Sequence, residues 1–105
     1  MIEGTYSGEA THGLVKEYLH ELAKFLGMRI QLDPVTFSAN KFGHPVHNGV
    51  NGFVSWVESG CHIYMWESCK FFTADIYSCK SFDAQQAADF TKNFLKAHEV
   101  VFKVV

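Results

Sequence analysis

In THGLVKEYLHELAKFLG, apolar residues recur every three to four positions, placing Leu14, Tyr18, Leu22 and Phe25 or Leu26 on one side of a helix that Gly27 stops. In MRIQLDPVTF the pattern changes to alternation, with Ile30 and Leu32 ahead of Pro34. Proline cannot donate to a ladder, so this strand is expected to be interrupted or to lie at an edge. SANKFGHPVHNG, with its Gly, Pro and Asn, reads as a long loop. VNGFVSWVES, CHIYMWE and FFTADIYSC are rich in β-branched and aromatic residues and predict successive antiparallel strands, turning near Ser59-Gly60 and between Ser68 and Lys70. A second helix is predicted in SFDAQQAADFTKNFLKAHE, where Asp83 and Gln86 have capping-box spacing and Ala87, Phe90 and Phe94 form the apolar face. MIEGTYSG opens the chain as a partial strand and VVFKVV closes it as another. The order β-α-β-β-β-β-α-β implies the α+β class, an antiparallel sheet with both helices on one face.

That layout leaves the other sheet face without a partner in the chain, and Trp56, Tyr64, Trp66, Phe71 and Tyr77 are expected on it. A face so rich in aromatic residues is normally covered, and a homodimer covers it most simply.

With 105 residues, 48% of them hydrophobic, the chain suits a single domain spanning 1–105. Nine basic against eleven acidic residues, with no basic run, argue against a nucleic-acid partner and leave a small molecule or another protein chain. No apolar run approaches the ~20 residues of a membrane span, and the N-terminus lacks the pattern of a signal peptide. The expectation is a soluble, cytoplasmic protein with no membrane partner. Cys61, Cys69 and Cys79 are odd in number and lack C-x-x-C spacing, which predicts reduced thiols rather than a disulfide framework or structural zinc. His44, His47, Cys61 and His62 are metal-type ligands at a spacing that fits no recognised site, so no metal is expected. Trp56, Trp66, Phe71, Phe72 and Tyr77 could stack a flat ring such as adenine, or could form core or dimer interface. Asp75 shares its strand parity with Tyr77 and Cys79, and could pair structurally or tune the thiol.

The reactive pair is Glu58-Ser59, at a predicted strand end. A serine hydroxyl in a strained turn can attack the preceding carbonyl and shift the acyl group from nitrogen to oxygen if the oxyanion is supported. Elimination of the ester would end one piece at Glu58 and turn Ser59 into a pyruvoyl group, an electron sink. The plain alternative is that Ser59 starts a turn with Gly60.

Glu58-Ser59, preceded by GVNGFVSWV and followed by Trp66 and by Cys79 in ADIYSC, resembles the core of the prokaryotic S-adenosylmethionine decarboxylase family, from Asn40-Lys41-Phe42-Gly43 through the second helix and more weakly through the first. The resemblance implies a pyruvoyl group made from Ser59, Cys79 as the general acid that protonates the substrate α-carbon, and Phe42, Asn51, Trp66 and Glu67 at substrate-side positions. Departures are equally specific. The family's histidine next to the serine and its processing histidine four residues further on are replaced here by Gly60 and Tyr64, its serine between the paired glycines by Asn51, and its Pro-Glu after the tryptophan by Glu67-Ser68. His62 or Tyr64, which share one predicted face of the strand, is the candidate to assist cleavage instead.

Because the residues lost are those that make the cofactor, the resemblance implies first a divergent, unprocessed relative that binds an adenosyl-type or amine ligand or regulates a partner. The alternative is an active pyruvoyl-dependent decarboxylase (carboxy-lyase) of S-adenosylmethionine or an amino acid, serving polyamine biosynthesis. A dimer with a purely structural role is the third reading.

Overall fold

The computed structural model describes residues 1–38, 43 and 48–105. Its elements are β1 (Ile2–Tyr6), α1 (His12–Leu26), β2 (Ile30–Ser38), β3 (Gly49–Trp56), β4 (Ser59–Trp66), β5 (Phe71–Ser78), α2 (Ala84–Leu95) and β6 (Ala97–Phe102). The strands form a six-stranded sheet in the order β2-β3-β4-β5-β1-β6, with every neighbouring pair antiparallel. The α+β class is therefore observed, with β1 a full strand paired on both sides rather than a partial one.

Each helix begins where a side chain takes up an orphan backbone donor. Thr11 caps α1 by accepting from the Leu14 N–H, and Asp83 caps α2 by accepting from the Gln86 N–H. Gly27 ends α1 in the left-handed conformation, φ 71°, and its N–H and that of Met28 bond back to the Lys24 and Ala23 carbonyls. The expected edge strand is β2, whose register shifts on both sides of Leu32, the second shift spanning Pro34.

Strand alternation divides the sheet into two faces. Val50, Val54, Ile63, Met65, Phe72 and Ala74 point to the helices and are buried. Gly52 lets α1 approach, because a Cβ there would lie 2.5 Å from Val15 Cγ1. Between the helices, the buried Tyr18 hydroxyl donates to Thr91 Oγ1 at 2.8 Å, and Thr91 in turn donates to the Ala87 carbonyl at 2.8 Å. That arrangement satisfies two polar groups in an otherwise apolar layer.

Three expectations need correction. Trp56 belongs to the helix face, 1% exposed, because the β3 register places it on the parity of the core, where Phe72 takes the core alternative left open for it. The first turn lies at Val57–Glu58, and Ser59 and Gly60 already pair in β4 opposite Trp56 and Ser55. On α1 the expected Tyr18 and Leu22 are joined by Val15 and Leu19 in the inward row, Leu14 and Leu26 pack against it, and Phe25 is the alternative that fails, being 48% exposed and stacked on Phe90 at 4.8 Å between ring centroids.

Candidate functional site

The Glu58–Ser59 bond joins the β3–β4 turn to the first residue of β4, and three contacts fix it. The Val57 N–H donates to the Arg29 carbonyl at 2.9 Å, and the Cys79 N–H donates to the Glu58 carbonyl at 3.1 Å. Ser59, 4% exposed, faces the helix side, where its hydroxyl meets Met28 Sδ at 3.5 Å. The reversal at Gly27 brings Met28 and Arg29 under the hairpin. Gly27, Met28, Arg29, Val57, Glu58, Ser59 and Lys80 line a cavity of about 130 Å3, and Lys80 Nζ donates to the Gly27 carbonyl at 3.1 Å. The carbonyl that an attacking hydroxyl would address is thus already polarised by a backbone donor, the arrangement an oxyanion needs.

The opposite face carries a row of rings. Phe53 meets His62 edge-on at 6.4 Å, His62 lies 6.2 Å from Tyr64, Tyr64 stacks on Trp66 at 4.4 Å, and Trp66 lies 5.7 Å from Phe71. His62 Nε2 lies 3.3 Å from Asn51 Oδ1, and Asp75 is its cross-strand partner. Gly60 sits beneath Tyr77, whose ring would be about 3 Å from a Cβ at that position. A tyrosine covering a cross-strand glycine restores the packing that the glycine lacks. A side chain at position 60 would displace that ring.

The structure therefore groups Asn51, His62, Tyr64 and Trp66 on the open face and places Ser59 on the other. His62 and Tyr64, the sequence candidates for assisting cleavage, lie on the side of β4 away from the Ser59 hydroxyl. Glu58 is exposed in the turn, and Cys79, also exposed, follows β5 and touches the site through its backbone. Among the cysteines, Cys61 is the core residue, its thiol pushed up chiefly by burial and secondarily by the charge of Asp75. Asp75 thus acts on Cys61, on a neighbouring strand. Phe42, His44 and His47 lie outside the described residues. Cys61 and His62 point to opposite faces, and no cluster of three metal-type ligands occurs among the described residues.

Glu67 is already occupied. It accepts from Lys70, from the Ala10 N–H at 3.1 Å and from the Tyr6 hydroxyl at 3.3 Å, tying the β4–β5 turn to the segment before α1. The Lys70 contact first, and then the Ala10 N–H, hold its carboxyl below the usual glutamate range against the opposing effect of burial. Burial, assisted by Glu67, pushes the Tyr6 phenol up. The sequence reading missed Met28, Arg29 and Lys80, although the Gly27 stop signalled a reversal of the chain immediately before the first two. It also missed the Tyr6–Glu67–Lys70 clamp, which depends on a turn left open in the strand pattern.

The family model described as S-adenosylmethionine decarboxylase matches residues 10–105. The chain belongs to this family. Searches of curated proteins and of solved structures returned no match. The family is pyruvoyl-dependent, and in this member the serine from which the resemblance derives that group has its hydroxyl on the helix side of the sheet. Among the described residues no helix is long and apolar enough to cross a membrane.

Proposed function

We propose that this member of the family keeps Ser59 as serine and uses the aromatic face of its sheet to hold an adenosyl-type or amine small molecule, with a second copy closing over that face. The supporting observation is the separation of Ser59 from His62 and Tyr64 by the thickness of the sheet. A side chain on one face of a strand cannot act as base for a hydroxyl on the other. The engagement of Glu67 by Lys70, Ala10 and Tyr6 further supports a mode of recognition that departs from the family's, whose Pro-Glu is replaced here by Glu67-Ser68. Stacked rings at Tyr64 and Trp66 offer a flat ring or a cation the faces it prefers, and Asp75 adds a carboxylate on the same side.

The test combines intact mass with binding. Freshly purified protein should show one undivided chain under denaturing conditions, and S-adenosylmethionine or putrescine should change the Trp66 fluorescence, Trp56 being buried. Two fragments divided between Glu58 and Ser59 would refute the unprocessed state. An unchanged signal with both ligands would leave a dimer with a purely structural role.

A second reading, the active pyruvoyl-dependent decarboxylase, is favoured by one observation, the Cys79 N–H on the Glu58 carbonyl. In that reading Ser59 supplies the pyruvoyl group, which serves as electron sink when formed, and the Cys79 thiol beside it delivers the proton.

A further inference from the structure

The hydroxyl of Ser59 opens onto a cavity whose charged side chains are Arg29, Glu58 and Lys80. Arginine remains protonated and cannot take a proton, and a carboxylate is a far weaker base than an amine. Lys80 supplies the amine. It is exposed, follows directly on Cys79, and is parked on the Gly27 carbonyl at 3.1 Å, while its own N–H bonds to Ser78 Oγ at 2.9 Å. Nζ is held at Gly27 and the Ser59 hydroxyl at the adjacent Met28, so both groups meet consecutive residues of the cavity lining.

We propose that Lys80 is the general base for Ser59 in this chain, serving from the helix side the role that His62 and Tyr64 cannot reach from the open face. The proposal rests on the second reading above and explains the silence assumed in the first, since an ammonium has no lone pair with which to take the proton. In the step, the Ser59 Oγ proton passes to neutral Lys80 Nζ as Oγ bonds to the Glu58 carbonyl carbon, and the carbonyl electrons move onto the oxygen held by the Cys79 N–H. Collapse breaks the C–N bond, and Lys80 returns the proton to the Ser59 nitrogen, so the amide becomes an ester with no atom gained or lost. Loss of the Ser59 α-proton to a base expels the Glu58 carboxylate, and water then hydrolyses the unsaturated product, releasing ammonia and leaving the pyruvoyl group. The charged groups that line the two cavities shared by Lys80 include Arg29 after α1, Glu58 in the β3–β4 turn, Asp75 on β5, Lys103 after β6 and the Met1 ammonium.

The experiment follows intact mass under denaturing conditions over days, from about pH 7 to about pH 10, where a lysine begins to lose its proton. It compares the wild-type chain, Lys80→Arg, which keeps a donor for Gly27 but no titratable amine, Lys80→Met, and Lys92→Arg on the exposed surface of α2 as a control. Wild type and Lys92→Arg should divide between Glu58 and Ser59 increasingly with alkalinity, about a hundredfold or more faster than either Lys80 variant, the scale expected of a general base. Circular dichroism checks that each remains folded. Equal rates in wild type and Lys80→Arg overturn the proposal, as does a wild-type chain that stays whole at every pH, an outcome that leaves the unprocessed reading intact. Division already at neutral pH refutes the unprocessed reading, while the comparison of variants still decides the role of Lys80.

Discussion

The two faces of the sheet are built from alternate residues of the same strands, yet they differ in what they lack. On β4, Cys61, Ile63 and Met65 are fully buried under the helices, whereas His62 is exposed and Tyr64 and Trp66 are half-buried on the other side. The helix face is complete within the chain: its one buried side-chain polar atom without a hydrogen-bond partner, among the described residues, is Trp56 Nε1. On the open face, rings of the described residues meet one another in a row from Phe53 to Phe71. The fully buried side chains are therefore concentrated on one side. Ser59 and Cys79 lie where the two meet, one committed to the helix side and the other exposed beyond the end of β5.

If that division is right, substitutions should sort by face. Phe72→Ala removes a fully buried ring and should cost about 3–5 kcal/mol in denaturant unfolding. A loss under about 1 kcal/mol would mean that the helix face is loosely packed. Gly52→Val should cost about 1–3 kcal/mol, because its side chain would collide with Val15 and Leu19 of α1. Thermal melting reads this, and a neutral result would show that the helix can retreat freely.

The clamp at the sheet's end gives a smaller, pH-dependent effect. The Glu67 carboxyl is held below its usual range, so its contribution is fully present above the ordinary glutamate pKa of ~4.3 and disappears as pH falls through the lower folded value. The group is partly exposed and screened, which limits the effect to below about 1 kcal/mol. Glu67→Gln should therefore destabilise slightly at neutral pH and converge with wild type in acid, and a gap that persists in acid would assign the loss to packing rather than charge. Smallest for the isolated fold is Trp66→Ala, expected to change monomer stability by under about 1 kcal/mol while weakening self-association in sedimentation. A loss as large as that of Phe72→Ala, with association unchanged, would erase the distinction between the faces.

Much of the fold could be read directly. The α1 stripe around Tyr18 and Leu22, the Gly27 stop, the Asp83–Gln86 cap and the edge position announced by Pro34 each depend on neighbours within one or two turns of chain, where periodicity and capping chemistry act. Trp56 was assigned to the wrong face because a one-residue change in parity moves a side chain across the sheet. Across the two-residue turn at Val57–Glu58, Trp56 pairs with Ser59, so the even positions of β3 share a face with the odd positions of β4 rather than with Tyr64 and Trp66.

The candidate site was less legible. The Glu58-Ser59 pair, Cys79 and family membership were present in the order of residues, since motif spacing is a property of the chain itself. The face onto which Ser59 opens, the Cys79 N–H on the Glu58 carbonyl and the occupation of Glu67 by its clamp were not. Apart from the Lys70 contact within the β4–β5 turn, those contacts join residues 21 to 61 positions apart in sequence, Cys79 to Glu58 the nearest and Glu67 to Tyr6 the farthest. Only strand register and the reversal after α1 bring them together, because alternation says that neighbouring side chains part without saying which side the helices will cover.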